Sequence, residues 1–158
     1  MDANIVFALA AGIGIVAGLR SLTAPAVVSW AAYLGWLTLG GSVLGFMGSV
    51  AAAVIFSLLA LVEFVGDVLP TTPSRTSLVP LMARIVMGGL CGACLCVSAG
   101  QSLVAGAALG GIGGVIGAFG GYQARTRLGK ALGVNDIFIA IAEDLVAIGL
   151  AYLMVSPR

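Results

Sequence analysis

The stretch Leu61 to Arg84, LVEFVGDVLPTTPSRTSLVPLMAR, closes one apolar run with Glu63 and Asp67 and opens the next with Arg84. Charge is scarce everywhere else: the 158 residues carry only seven basic and six acidic side chains. With 61% hydrophobic residues, 8% charged residues and a mean hydropathy of +1.19, no charged surface is large enough to keep the chain in water. It belongs in a bilayer. A span needs about 20 mostly apolar residues to cross roughly 30 Å of hydrocarbon, so the length allows about five or six crossings. Residues 1–158 therefore form a single integral membrane domain. A net charge of +1 gives no nucleic-acid footprint. The absence of histidine removes the commonest metal ligand and neutral-pH proton carrier, and no cofactor motif appears.

The first apolar run begins Met-Asp-Ala-Asn, without the positive charge of a secretion signal, and reads as a retained helix from about Ala3 to Leu19, ending at Arg20. Thr23 or Ser21 is placed to cap the next helix, with Pro25 in its first turn. Pro25 to Leu39 is short for a crossing and carries Trp30, Tyr33 and Trp36, rings that prefer the headgroup boundary. It reads as an interfacial or re-entrant half-helix; full spanning is the alternative. Helix 2 is expected from about Gly48 to Leu69, and prolines 70, 73 and 80 bracket a polar loop. Helix 3 runs from near Leu78 to about Ala99 and holds Cys91, Cys94 and Cys96, read as small packing residues because no second ligand pair accompanies them. Helix 4 spans about Ser102 to Tyr122. Its glycines form two stripes, Gly106, Gly110 and Gly114 on one and Gly113, Gly117 and Gly121 on the other. One stripe is expected to seat a neighbour within the chain and the other a second copy, giving a homodimer, unless both serve internal packing. A loop from Gln123 to Asp136 holds Arg125, Arg127 and Lys130, and helix 5 runs from about Ile137 to Val155. The expected fold is an all-α transmembrane bundle of about five spanning helices plus the half-helix. Counting basic residues places the N-terminus, the Arg75 loop and the Arg125 loop together in the cytoplasm, in the cell's inner membrane.

Helical rise puts Glu63 and Glu143 each roughly 10 Å from the cytoplasmic end of its helix, and Arg84 roughly 7 Å from the start of its own. Lipid-facing charge at that depth costs about 2 to 3 kcal/mol or more per residue, so these groups should turn towards one another or towards water. Glu63, Asp67, Glu143 and Asp144 are candidates for ion binding or proton exchange, with Arg84, Arg20, Arg75 and Arg125 as charge partners. Arg20, at the other end of helix 1, is expected to snorkel to the headgroups, with pairing to the half-helix backbone as the sharper alternative. The functional reading is a small proton or small-ion transporter or channel. Its rival is a membrane scaffold whose charges only fix helix register. An intramembrane enzyme, using Glu63 and Asp67 on a metal or Asp67 and Asp144 as an acid pair, lacks the longer motifs such chemistry needs. The partners these readings imply are membrane lipid, a small ion and a second copy of the chain.

Several pieces taken together, Gly18-Leu19-Arg20, Glu63-Phe64-Val65-Gly66-Asp67-Val68-Leu69-Pro70, Arg84 with Gly88 and Gly89, and Asn135 followed by Glu143-Asp144, resemble the bacterial membrane family called domain of unknown function 4126. The resemblance covers almost the whole chain and implies an integral membrane protein, without supplying an activity. In that family a lysine usually follows the helix 2 aspartate and a proline follows the loop asparagine. Here those positions are Val68 and Asp136, which leaves the cluster more acidic.

Overall fold

A computed structural model describes residues 2–68, 77–133 and 135–157. The described chain is all-α: α1 (Ala3–Leu19), α2 (Thr23–Tyr33), a 3-10 turn (Gly45–Gly48), α3 (Val50–Val68), α4 (Leu78–Ser98), α5 (Leu103–Leu132) and α6 (Asp136–Val155). Four helices, α3 to α6, are long and apolar enough to cross a membrane, and α1 is a shorter apolar helix. Large apolar side chains such as Val54, Ile55, Leu58 and Val62 of α3 and Leu145 and Leu153 of α6 stand exposed on the outside of the bundle. In water such a surface would drive aggregation; facing acyl chains it costs nothing. The molecule is a membrane-embedded helical bundle.

Its centre is the trio α1, α4 and α5, joined by glycine. A Cβ on Gly106 would stand 2.5 Å from the Gly92 carbonyl oxygen, and one on Gly114 2.6 Å from that of Arg84, so α5 meets α4 backbone to backbone. On its other stripe, Gly113 and Gly117 press against the backbone of Ala11 and Ile15 in α1. Lipid tails are as apolar as leucine, so helices gain little from hiding apolar surface and must be held by this close packing. α4 packs on Gly106, Gly110 and Gly114 and α1 on Gly113 and Gly117, so both stripes serve packing within the chain. Cys91 and Cys94 lie buried in the main core with Ile13, Val16, Val28 and Met47, while Cys96 packs with Val6 and Ala10; all three are free thiols.

α5 runs ten residues beyond the expected end at Tyr122, so the segment read as a loop is mostly helix. Ala124, Arg125, Arg127, Leu128 and Lys130 are good helix formers. The run of polar residues interrupts the apolar pattern, whereas the helix ends at Gly133, whose φ of 58° is the left-handed C-cap. At the other terminus Ser102 caps α5 by accepting a hydrogen bond from the amide of Ala105.

α2 is a half-length helix, roughly 16 Å long at 11 residues. It starts beside Glu63 near the end of α3, and Trp30 further along it donates its indole N–H to Ser57 Oγ at 2.9 Å. The irregular segment 34–49 then continues to the end of the bundle where α1 begins. There the Thr38 amide donates to Ser98 Oγ at the close of α4, and the Trp36 ring meets the Tyr152 ring near the close of α6. Val6, Leu95, Ser98 and Val155 line one cavity of about 300 Å³ at this end. The start of α1 and the Arg125 region therefore lie at opposite ends of the bundle, a correction to the shared face expected for them. The reason is that α2 and its irregular continuation return the chain across a distance that length rules assign only to long helices.

Candidate functional site

The α1–α2 break is the framework of the site. Between Leu19 and Thr23 one helix stops and another starts, leaving carbonyls on one side and amides on the other without helical partners. Glu63, reaching from α3, satisfies the amides. Its Oε1 accepts from the Ser21 amide at 2.9 Å and the Ser21 hydroxyl at 2.7 Å, and its Oε2 accepts from the Leu22 amide at 2.9 Å. Arg84 of α4 satisfies the carbonyl side: its Nε donates to the Gly18 carbonyl at 3.0 Å and its Nη1 to the Pro80 carbonyl at 3.1 Å. A carboxylate thus sits at the positive start of α2 and a guanidinium at the negative end of α1, matching both helix dipoles. The two side chains also approach one another, with Arg84 Nη2 3.9 Å from Glu63 Oε1.

Arg20 is the deepest group of the cluster, with 1% of its surface exposed. Its Nη1 donates to Asp67 Oδ2 at 2.7 Å, and its Nη2 donates to the Ala140 carbonyl at 3.5 Å. Its Nε lies 2.6 Å from Asp144 Oδ1, an ion pair bent too far for a hydrogen bond. The Phe64 ring covers the guanidinium at 5.8 Å, adding a cation–π contact. The expectation that Arg20 snorkels to a distant headgroup layer is corrected here. The returning α2 puts the break at the same end as Glu63 and Asp144, and Arg20 turns inward to two acids.

Arg125 completes the set from α5. Its Nη1 lies 3.9 Å from Asp67 Oδ2 and 4.0 Å from Glu143 Oε2, and its Nη2 donates to the Asp67 carbonyl at 3.5 Å. All four candidate acids, Glu63, Asp67, Glu143 and Asp144, therefore meet arginines, and three of the four candidate arginines take part. Arg75, with its loop, lies outside the described residues. The pairing differs from the sequence expectation in detail: Arg84 meets Glu63, while Glu143 meets Arg125.

The acids divide by surroundings. Glu63 is fixed by the α2 amides and Asp67 is held between Arg20 and Arg125. Asp144 lines a cavity of about 460 Å³ between α2, α3 and α6, and Glu143 lines one of about 480 Å³ between α5 and α6. Among the described residues, no group of three or more Cys, Asp and Glu side chains is placed to hold a metal ion. Arginines interleave the acids instead. Sequence reasoning missed the amides of Ser21 and Leu22, the carbonyls of Gly18 and Ala140, and Phe64. Only Ser21, Thr23 and Pro25 signalled a helix start there, and nothing in the local sequence names a remote carboxylate as its cap.

No curated protein matches the chain, and no solved structure does. A family model described as Domain of unknown function (DUF4126) matches residues 7–156. The match runs from the second turn of α1 to the end of α6 and takes in every described member of the charge cluster, so the chain belongs to this family of unknown function (DUF4126).

Proposed function

We propose that the protein is a small transporter or channel for protons or small cations in the cell's inner membrane, with Asp144 and Glu143 as its exchanging groups. The observation that carries this is the position of the two acids: besides meeting Arg20 and Arg125 they line cavities beside α6, whereas Glu63 caps the start of α2 and Asp67 lies between Arg20 and Arg125. Three of the chain's seven basic and four of its six acidic residues meet in this one cluster. Packing alone gives no reason for that concentration, because well-packed apolar residues stabilise as well as buried ion pairs or better. Arg125, Arg127 and Lys130 share the cluster's end of the bundle, and the positive-inside rule assigns it to the cytoplasm. α1 starts at the opposite end, so the N-terminus faces outward in this reading, the reverse of the sequence expectation.

The test is proton or monovalent-cation flux in proteoliposomes. Asp144→Asn and Glu143→Gln should each reduce flux to the leak of empty vesicles while the protein stays folded. Unchanged flux in both variants would sink the reading.

A scaffold whose charges fix helix register is the second reading, and the three hydrogen bonds on Glu63 favour it for that residue. Glu63→Gln loses the charge at the helix start and part of the acceptor set, and is expected to cost about 1 to 2 kcal/mol of stability. Thermal unfolding in detergent measures this. A variant as stable as the parent would show that Glu63 is not the cap the geometry describes.

A further inference from the structure

We propose that the cavity beside Asp144 binds a lipophilic organic cation, drawn sideways from the membrane. The inference rests on the transport reading for the role of Asp144 and adds a further class of cation to it. At about 460 Å³ the cavity is within the usual range for small-molecule sites. Asp144 is the only ionisable side chain lining it among the described residues, and two aromatic rings, Trp30 and Phe64, stand in its wall. Arg20 is shared between Asp67 and Asp144, so one positive charge stands against two carboxyl groups.

The aromatic walls suit a cation. Trp30 is held in place in that wall by its hydrogen bond to Ser57 Oγ and by its T-shaped contact with Tyr33. Tryptophan is the strongest cation–π partner, and Phe64 already carries a guanidinium against its ring. Beyond these groups the lining is apolar apart from Thr23 and Ser57. An inorganic divalent ion needs six or so oxygen ligands, and a single carboxylate with two hydroxyls falls well short of that. A cation whose charge is spread over an apolar body needs only a counter-charge and aromatic faces.

The way in is lateral. Leu61, Leu145 and Ile148 on the cavity margin are exposed on the outside of the bundle, where acyl chains pass. A solute already dissolved in the membrane reaches Asp144 between α3 and α6 without crossing the headgroups.

Equilibrium dialysis of the detergent-solubilised protein against tetraphenylphosphonium tests the site. Saturable binding is expected, weakened about tenfold or more by Asp144→Asn through loss of the counter-charge. Ile148→Trp, which fills the cavity and keeps the charge, should weaken it similarly. Arg127→Met, which removes an exposed charge outside both cavities, should bind as the parent does. Tetraphenylborate, the same shape with opposite charge, should not bind saturably. Absence of saturable tetraphenylphosphonium binding, equal binding in Asp144→Asn and Ile148→Trp, or equal binding of tetraphenylborate would each overturn the proposal. Proton flux without tetraphenylphosphonium binding sinks this inference and leaves the transport reading standing. Binding with the expected variant pattern but no cation flux does the reverse.

Discussion

Arg20→Met is expected to lower folding stability by about 3 to 5 kcal/mol, the cost of breaking a buried ion pair from one side. Methionine preserves most of the volume, so the loss isolates charge and hydrogen bonding rather than a cavity. Without the guanidinium, Asp67 loses its 2.7 Å partner, Asp144 its 2.6 Å partner, and Ala140 the donor to its carbonyl. Two carboxylates that had shared one cation are left, among the described residues, with only Arg125 near Asp67. Arg20→Lys should recover only part of the loss, because a single ammonium lacks the planar fork that reaches α3 and α6 together. Arg127→Met, at an exposed position on α5, should change little. The decisive comparison adds Asp67→Asn and Asp144→Asn to Arg20→Met. If uncompensated charge is the cause, the triple variant is more stable than Arg20→Met alone. Unfolding in detergent followed by tryptophan fluorescence reads all of these. An Arg20→Met variant within about 1 kcal/mol of the parent would mean that the pair is solvated and the cluster is not a buried network.

Arg20 also shows where the sequence stops being legible. Apolar runs located the long helices well: the expected bounds of α1 are the observed ones, and those of α4 and α6 agree to about a residue. Hydropathy reports where lipid ends, so it placed the end of α5 at Tyr122 although the backbone stays helical to Leu132. The positions of the two chain ends depended on whether Pro25 to Leu39 returns the chain across the bundle. An 11-residue helix followed by an irregular segment falls below any length rule for spanning, and Arg20 was assigned to the wrong end as a result. The clue that remained was an imbalance: four acids for one well-placed arginine, which Arg20 and Arg125 repair. Convergence of the acids followed from the cost of charge in lipid, which acts at any sequence distance. The Glu63 cap did not, because caps are recognised by local spacing and this one comes from a helix some forty residues away.

Gly110→Ala should cost about 3 kcal/mol, at the upper end of what overpacking usually causes. One methyl group is enough because the atoms it meets belong to backbone: a Cβ there would overlap the carbonyl of Gly88, with the Cα of Gly92 3.1 Å away. No rotamer change relieves that, and the remedy is to move α4 away from α5. The movement reaches the site, since Gly114, one turn along the same stripe, lies against the Arg84 backbone, and Arg84 holds the Gly18 carbonyl at 3.0 Å. Gly120→Ala supplies the control on the same helix. No atom lies within 4 Å of a Cβ there, and the gain in helix propensity predicts up to about 1 kcal/mol of stabilisation. If the two variants unfold alike, the α4–α5 seam is not in backbone contact. If only Gly110→Ala is destabilised and its cation flux also falls, the seam is what holds Arg84 against the end of α1. The charge cluster would then be a consequence of glycine packing: backbones this close bring three arginines and four acids within reach of each other in a medium that tolerates none of them alone.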